Sequence, residues 1–306
     1  MSKNNKINEI KETEKEEEQE IIKQEPSARY QWCALVFVTT YFISWAVPVA
    51  FLFTYIIIFF IPYVLENPNF FALFLELKPL LSFLCFPLIL IITYLLHLFF
   101  AALSIKFWYA VSQRIIPSKE GIIPRNVSSK TLNLYHIRSF ILKYPKNLVV
   151  KGLFPWLFTW TFNFIGSCDY GKGTTVEEEV LGDKFAETGK NCYIGANASL
   201  ASHLVEGIFG NIYYFKIVLG DNVTVSCESP LAPGTHLEDD TYILPLGAAL
   251  KFTRNKGDNF YFGMPIRRIF SRKVKNYLDL TDEDLERAEE LREKRILVPI
   301  EISAIE

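Results

Sequence analysis

The stretch LGDNVT-VSCESP-LAPGTH-LEDDTY-ILPLGA, residues 219–248, consists of five consecutive hexads and decides the fold. Every hexad begins with an aliphatic residue: Leu219, Val225, Leu231, Leu237 and Ile243. Every fifth position is small or short: Val223, Ser229, Thr235, Thr241 and Gly247. A period of six fits neither an α-helix nor a flat strand, but it is typical of a parallel β-helix. We therefore predict a left-handed parallel β-helix with three hexads per coil, in which the aliphatic residues fill the interior and the small residues let the chain turn.

Weaker hexads precede this run. Ile194 and Leu200 are six residues apart, and Val176 lies one coil of 18 residues before Ile194, with Val180 in its fifth position. The phase breaks between Leu200 and Leu219, which are 19 residues apart. We predict that a loop leaves the coil there, and repeat arrays place such insertions on one face, often the binding face.

Two long apolar segments precede the repeats. Residues 32–64 and 79–111 each exceed the ~20 residues that a bilayer span needs. They predict two transmembrane helices, the first kinked at Pro48. Residues 106–151 hold nine Lys or Arg and one acid, so the positive-inside rule places both chain ends in the cytoplasm of a multi-pass membrane protein.

A third apolar stretch, residues 148–164, is interrupted by a lysine and a proline. We favour an interfacial helix over a short third span, because four aromatic residues suit the headgroup level: Trp156, Phe158, Trp160 and Phe162. The basic residues beside it are typical of topology-determining charge, and they could also contact anionic headgroups: Arg138, Lys143, Lys146 and Lys151.

The segment 280–295 predicts a C-terminal helix, with Thr281 as its N-cap and acidic residues in its first turn. The chain thus divides into five parts: a charged disordered tail (1–30), a two-helix transmembrane anchor (31–111), a basic linker with the interfacial aromatic segment (112–165), the β-helix domain (166–270), and the C-terminal helix and tail (271–306).

His203 is the strongest candidate for chemistry, because it lies where the hexad register breaks. An imidazole with a pKa near ~6.5 can take a proton from an amine or hydroxyl at neutral pH. Glu206, three residues on, could orient its other ring nitrogen, and Lys216 could meet donor phosphates. The alternatives are a histidine that hydrogen-bonds a neighbouring coil and a structural surface lysine. We read His236 as a surface or interface residue, and His97 as a partner in one interhelical hydrogen bond.

The strings ASLASHLVEG and IVLGDNVTVSCESPLAPGTHLEDDTYILPLGAALKF resemble the membrane-bound terminal domain of nonribosomal-peptide-synthetase-like proteins of the poly-lysine synthetase type. In that pattern, Ser202, His203 and Glu206 fall in the histidine motif that precedes an insertion and a run of hexads. The segment YFGMPIRRI, residues 261–269, is similar to an ending common in hexapeptide-repeat acyltransferases. The resemblance covers roughly residues 100–270.

The resemblance implies an acyltransferase that joins an acyl or aminoacyl group to an amine or hydroxyl, with His203 as general base and Glu206 holding it. The family's adenylation and carrier domains are not recognisable in this sequence, so the donor would be acyl-CoA or a thioester on a carrier protein loaded by a separate adenylation enzyme. It also implies a homotrimer with active sites between subunits.

Two other function classes remain open from the sequence: a non-catalytic membrane-anchored β-helix scaffold, and an enzyme like the γ-class carbonic anhydrases. The latter use three histidines per metal ion, whereas this domain offers only His203 and His236, so we expect no metal. No phosphate loop or nucleic-acid motif is present, and the near-neutral net charge of −2 gives no reason to expect a nucleic-acid partner.

Overall fold

The computed structural model describes residues 30–177, 182–207, 210–269 and six positions between 281 and 290. Val180 and most of the predicted C-terminal helix lie outside these residues. Thr281 does show a reciprocal cap: its Oγ1 accepts a hydrogen bond from Asp284 N (3.2 Å), and its backbone N donates to Asp284 Oδ2 (2.9 Å). This is the geometry that begins a helix, and the described residues from 283 to 290 are helical.

Two long apolar helices form an antiparallel pair. Helix α1, Tyr30–Tyr55, continues as a π-helix, Ile56–Leu65, and the short α2, Ala72–Leu75, leads into α3, Leu77–Ile115. Both are long and apolar enough to cross a membrane, judged by length and composition only. We predicted a kink at Pro48, but the helical geometry changes at Ile56.

His97 ties the two long helices together. Its Nδ1 lies 3.0 Å from the carbonyl oxygen of Ser44, and its ring stacks on Trp45 at 3.9 Å between centroids. The predicted interhelical hydrogen bond is confirmed. At 39 residues α3 is about 58 Å long, so it extends well beyond a ~30 Å hydrocarbon core.

Short helices pack on the last turns of α3. They are α4 (Lys130–Ile141), α5 (Lys143–Val150), a 3₁₀ turn (Pro155–Leu157) and α6 (Phe158–Ile165). The prediction of one helix over 148–164 was wrong, because Gly152 and Pro155 lie in a break between α5 and α6. Trp156 and Trp160 are exposed, as an interfacial role requires, but Phe158 and Phe162 are buried in the core.

The repeats form three parallel sheets that the chain visits in turn. The first contains β2 (Asp169–Tyr170), β4 (Ala186–Thr188), β9 (Ile217–Leu219) and β12 (His236–Leu237). The second contains β3 (Thr175–Val176), β5 (Tyr193–Ile194), β10 (Thr224–Val225), β13 (Thr241–Ile243) and β14 (Asn259–Phe262), with β15 (Arg267–Arg268) antiparallel at its edge. The third contains β6 (Ser199–Leu200) and β11 (Pro230–Leu231).

The predicted register is confirmed, since Leu219 pairs with Leu237 and Val225 with Ile243, each one coil of 18 residues apart. All first and fifth positions of the five hexads are buried. Five parallel strands on the second sheet make the coil longer than the three turns that the aliphatic residues suggest. Tyr170 and Thr188 fill the same interior position in the earlier turns.

The turns are made by the fourth position of each hexad rather than by the small fifth residue. Except at His203, where the chain leaves the coil, the described fourth positions have a left-handed backbone: Gly173, Phe185, Asn191, Asn197, Asn222, Glu228, Gly234, Asp240, Leu246, Phe252 and Asp258. Asn, Asp and Gly adopt this conformation readily, whereas Leu246 and Phe252 adopt it against their preference.

The predicted loop between Leu200 and Leu219 is confirmed as an antiparallel hairpin of β7 (His203–Glu206) and β8 (Asn211–Tyr214). The other edge of β8 pairs with β1 (Gly121–Ile123), which lies between α3 and α4. The linker before the coil and the insertion within it therefore share one small sheet.

Candidate functional site

A cavity of about 510 Å³ lies where the hairpin leaves the coil. Helices α4 and α5 form one wall, the hairpin forms another, and coil residues next to β4 and β6 form the floor. His203 lines it, so the structure places the histidine singled out by the sequence in a cavity open to solvent.

His203 is neutral at neutral pH. Its ring meets the edge of Tyr135, with 5.9 Å between centroids, and within the described chain no hydrogen bond holds either ring nitrogen. Partial burial, above all, lowers the pKa of His203 to about 4; Lys184 and then Lys146 act in the same direction, and Asp183 opposes them. The free imidazole can therefore accept a proton without first losing one, although it is a weaker base than an exposed histidine.

Glu206 does not orient His203. The two residues are three apart on β7, so their side chains leave opposite faces of the strand. The Glu206 carboxylate forms an ion pair with Lys251 on the coil. The role given to Glu206 from its spacing is thus not what the geometry shows: it fastens the hairpin to the coil.

Lys216 lies at a different cavity, of about 240 Å³, beside Glu187. Its Nζ is 2.6 Å from Glu187 Oε1, and its backbone N donates to Glu120 Oε1 at 2.9 Å. Lys216 and His203 are therefore not brought together in one cavity.

Lys184 is the residue that the sequence reasoning missed. Its side chain is buried, donates to Ser139 Oγ at 2.6 Å and lies 4.8 Å from the centre of the Tyr135 ring. Burial lowers the pKa of Lys184 to about 8, and Asp183 opposes that fall. Lys146 from α5 reaches the same place, with its Nζ 3.3 Å from Asp183 Oδ1.

Ser202 also lines the cavity and was not singled out as a chemical group. Only 1% of it is exposed, and its hydroxyl is the single buried side-chain oxygen or nitrogen in the described residues that has no hydrogen-bond partner. A buried hydroxyl without a partner is disfavoured by about 1–3 kcal/mol, so a missing partner is to be expected there.

Arg138 is not exposed for contact with headgroups. It is buried on α4, and its guanidinium donates to the Ser112 and Ile116 carbonyls at the end of α3 and to Ser118 Oγ. It caps the long helix, as a cation at a C-terminus does. Lys143 and Lys146 instead line the cavity beside His203.

The described residues contain no group of three or more His, Cys, Asp or Glu side chains placed to hold a metal ion. His236 lies half-exposed on the coil, with Nε2 3.8 Å from Glu238 Oε1, far along the sequence from the hairpin. His203 and His236 are therefore not gathered into a ligand set in the described chain.

No protein-family model matches the chain, and no curated protein matches it. Solved structures to which it is similar include a hexapeptide-repeat acetyltransferase from Vibrio cholerae complexed with acetyl coenzyme A. The two are 15% identical, the match covers 35% of this chain and 62% of that one, and the TM-score is 0.31. Serine acetyltransferases from Neisseria gonorrhoeae and soybean are also similar. The Neisseria enzyme is 13% identical to this chain, the match covers 57% of this chain and 53% of that one, and the TM-score is 0.30. The soybean enzyme is 15% identical to this chain, the match covers 75% of this chain and 97% of that one, and the TM-score is 0.27.

The chain thus spans less than two thirds of the first two structures. These neighbours are a hexapeptide-repeat acetyltransferase and two serine acetyltransferases, and identities and TM-scores this low do not assign this chain an activity.

Proposed function

We propose that this chain is a membrane-anchored acyltransferase that moves an acyl or aminoacyl group from a thioester to an amine or hydroxyl. The single observation that carries the proposal is the neutral His203, which lines a solvent-open cavity at the one point where the described coil is interrupted. The hexad coil and the histidine motif, which resemble the poly-lysine-synthetase-type terminal domain, favour this activity over other uses of the fold.

In the proposed reaction, His203 accepts the proton of the acceptor amine or hydroxyl as that group attacks the thioester carbonyl. The carbon–sulfur bond then breaks, and the thiol leaves with a proton returned by the imidazole. Backbone amides of the coil turns would stabilise the oxyanion. The co-substrate would be acyl-CoA or a carrier-bound thioester, and Lys216 is our candidate for donor phosphates, although its ion pair with Glu187 must then open.

We further propose that α1 and α3 cross the membrane as a pair with both chain ends in the cytoplasm, that the coil is left-handed, and that the chain assembles as a homotrimer. The apolar length of the two helices and the exposed Trp156 and Trp160 support the membrane assignment. The left-handed coil follows from the period of six, and the homotrimer follows from the resemblance.

The test is acyl transfer by detergent-purified protein, from a panel of acyl-CoA and aminoacyl thioesters to amines and hydroxyl acceptors. We expect His203→Gln to lower turnover about 10²–10⁴-fold, because it removes the base. His236→Gln is the matched control: it changes a histidine on the coil outside the cavity and should leave turnover unchanged.

A non-catalytic scaffold is the second candidate. It is favoured by one observation, that Glu206 binds Lys251 and leaves His203 without a carboxylate to orient it. Absence of turnover with every donor, in protein that is folded and membrane-inserted, would support the scaffold. Turnover that survives His203→Gln would remove His203 as the base.

A further inference from the structure

We propose that the cavity beside His203 binds a phosphate group carried by the acyl acceptor, held by Lys143, Lys146, Lys184 and the Ser202 hydroxyl. The assignment of the ligand as acceptor rests on the proposed function, whereas the binding of phosphate does not.

The first support is the charge of the cavity wall. Four cationic side chains line it: Arg125, Lys143, Lys146 and Lys184. Asp183 is the sole carboxylate among its described lining residues, and its ion pair in the described chain is with Lys146. Like charges gathered round one cavity repel one another unless an anion enters, so the cavity is built to attract an anion.

The second support is Ser202. Its hydroxyl is buried, lines the cavity and has no partner in the described chain. A phosphate oxygen is a strong acceptor and would satisfy that donor. A hydroxyl on the substrate could also do so, but it would leave the three cations that do not pair with Asp183 uncompensated.

The third support is Lys184, which is only 6% exposed. It comes from the coil, whereas Lys143 and Lys146 come from α5, so the positive groups approach the cavity from two sides. Desolvation of an ammonium is unfavourable, and in the described chain the Lys184 Nζ has Ser139 Oγ and the Tyr135 ring as its close partners. A bound dianion would offset that desolvation.

A phosphate monoester fits these features better than a carboxylate. It offers about two negative charges and three acceptor oxygens, enough for several lysines and a serine together. The volume of about 510 Å³ also leaves room for the group that the phosphate is attached to. Because α4 and α5 pack against the long helices, the phosphate could belong to a lipid headgroup or to a soluble ester.

The experiment measures binding to full-length protein in detergent by calorimetry. The soluble arm uses inorganic phosphate and glycerol 3-phosphate, and the lipid arm uses dioctanoyl phosphatidic acid with dioctanoylglycerol as its phosphate-free counterpart. We expect saturable binding in at least one arm. Tight binding of phosphatidic acid with weak binding of both soluble probes assigns a lipid source, and comparable binding assigns a soluble one.

The variant Lys143→Gln/Lys146→Gln should weaken phosphate binding roughly tenfold or more, since each lysine lost removes a charge-assisted hydrogen bond. The matched control is Lys151→Gln, an exposed lysine just after α5 that does not line the cavity, and it should change affinity by less than about twofold. Ser202→Ala is a second, smaller probe that keeps every charge in place and should also weaken binding.

The proposal is overturned if no probe binds saturably, or if the double variant binds as well as the parent protein. Its failure differs from failure of the proposed function. Turnover with phosphate-free acceptors at undiminished kcat/KM would overturn the assignment of the phosphate to the acceptor and leave the acyltransferase standing. Phosphate binding without turnover would leave the phosphate site standing and count against the acyltransferase.

Discussion

The coil and the hairpin region differ in how their side chains are placed. In the coil, position within the hexad decides the environment of a residue: from Tyr170 to Ala249 the described first and fifth positions of the coil are buried, and fourth positions turn the chain. In the hairpin region, β1, β7, β8, α4 and α5 come from separate parts of the chain, and no repeat governs them.

The boundary between the two regions shows what this difference means. Third positions of the hexads are exposed at Lys190 and Ala196, but at Lys184 and Ser202 they are buried. At the cavity beside His203, α4, α5 and the hairpin cover those two coil positions. The candidate site thus lies where an irregular layer covers a regular one.

Among these predictions, the largest effect is expected in the coil, from Leu231→Ala. Leu231 is fully buried in the coil, so removing its side chain should lower the free energy of unfolding by about 2–5 kcal/mol, measured by denaturant titration in detergent. Leu250→Ala makes the same change at an exposed position and should shift the free energy of unfolding by less than about 0.5 kcal/mol. Equal losses would show that hexad position does not set burial.

The second test concerns the proton affinity of His203. Its pKa of about 4, against about 6.5 in the unfolded chain, means that stability is lost as pH falls from 6.5 towards 4. Titration by NMR should therefore show a neutral ring at pH 5.5.

Lys184→Met should raise the pKa of His203, because it removes the largest charge effect, although burial, Lys146 and the nearby His136 and Arg125 remain. Lys151→Met, outside the cavity, should leave the pKa of His203 where it is. A midpoint near 6.5 in the unmodified protein contradicts the partly buried position of the ring.

The third test exploits the fourth hexad position. Leu246 is exposed and holds a left-handed backbone at φ 63°, so Leu246→Asn should stabilise the protein by about 1 kcal/mol. Leu250→Asn, at an exposed residue outside the left-handed set, provides the comparison and should give no gain. A thermal midpoint that does not rise for Leu246→Asn contradicts the assignment of the turn to this position.

The smallest expected effect is at the seam between the two regions. Lys251 pairs with Glu206 and lies 3.9 Å from the centre of the Tyr213 ring. Lys251→Met should loosen the hairpin by about 0.5–1 kcal/mol, seen as faster amide exchange in β7 and β8 with the coil unchanged. Lys190→Met, at an exposed coil lysine, should leave both regions unchanged; uniform acceleration across the coil would show that the hairpin is not a separate unit.

Much of the regular half could be predicted from the sequence. The aliphatic period of six places Leu219, Leu237 and Ile243 in the interior, and the 19-residue gap marks where the hairpin leaves. Tyr170 and Thr188 escaped notice because neither is aliphatic, although both keep the six-residue phase. Searching for the phase rather than for the residue type would have found them.

The cavity was predictable only in part. The break in register pointed to His203, but spacing alone paired it with Glu206, which binds Lys251 instead. On a helix, residues three positions apart lie close together. Because β7 is a strand, the side chains of His203 and Glu206 diverge.

The sequence by itself determined the repeat, the two apolar helices and the place of the insertion, because each follows from a local period or a local run of apolar residues. Only the tertiary structure decided that Lys143 and Lys146 of α5 meet Lys184 and Ser202 of the coil around His203. These residues lie up to 60 positions apart, and their meeting depends on how α4, α5 and the hairpin pack over the coil. Packing between distant elements has no period, so no pattern in the sequence predicts it.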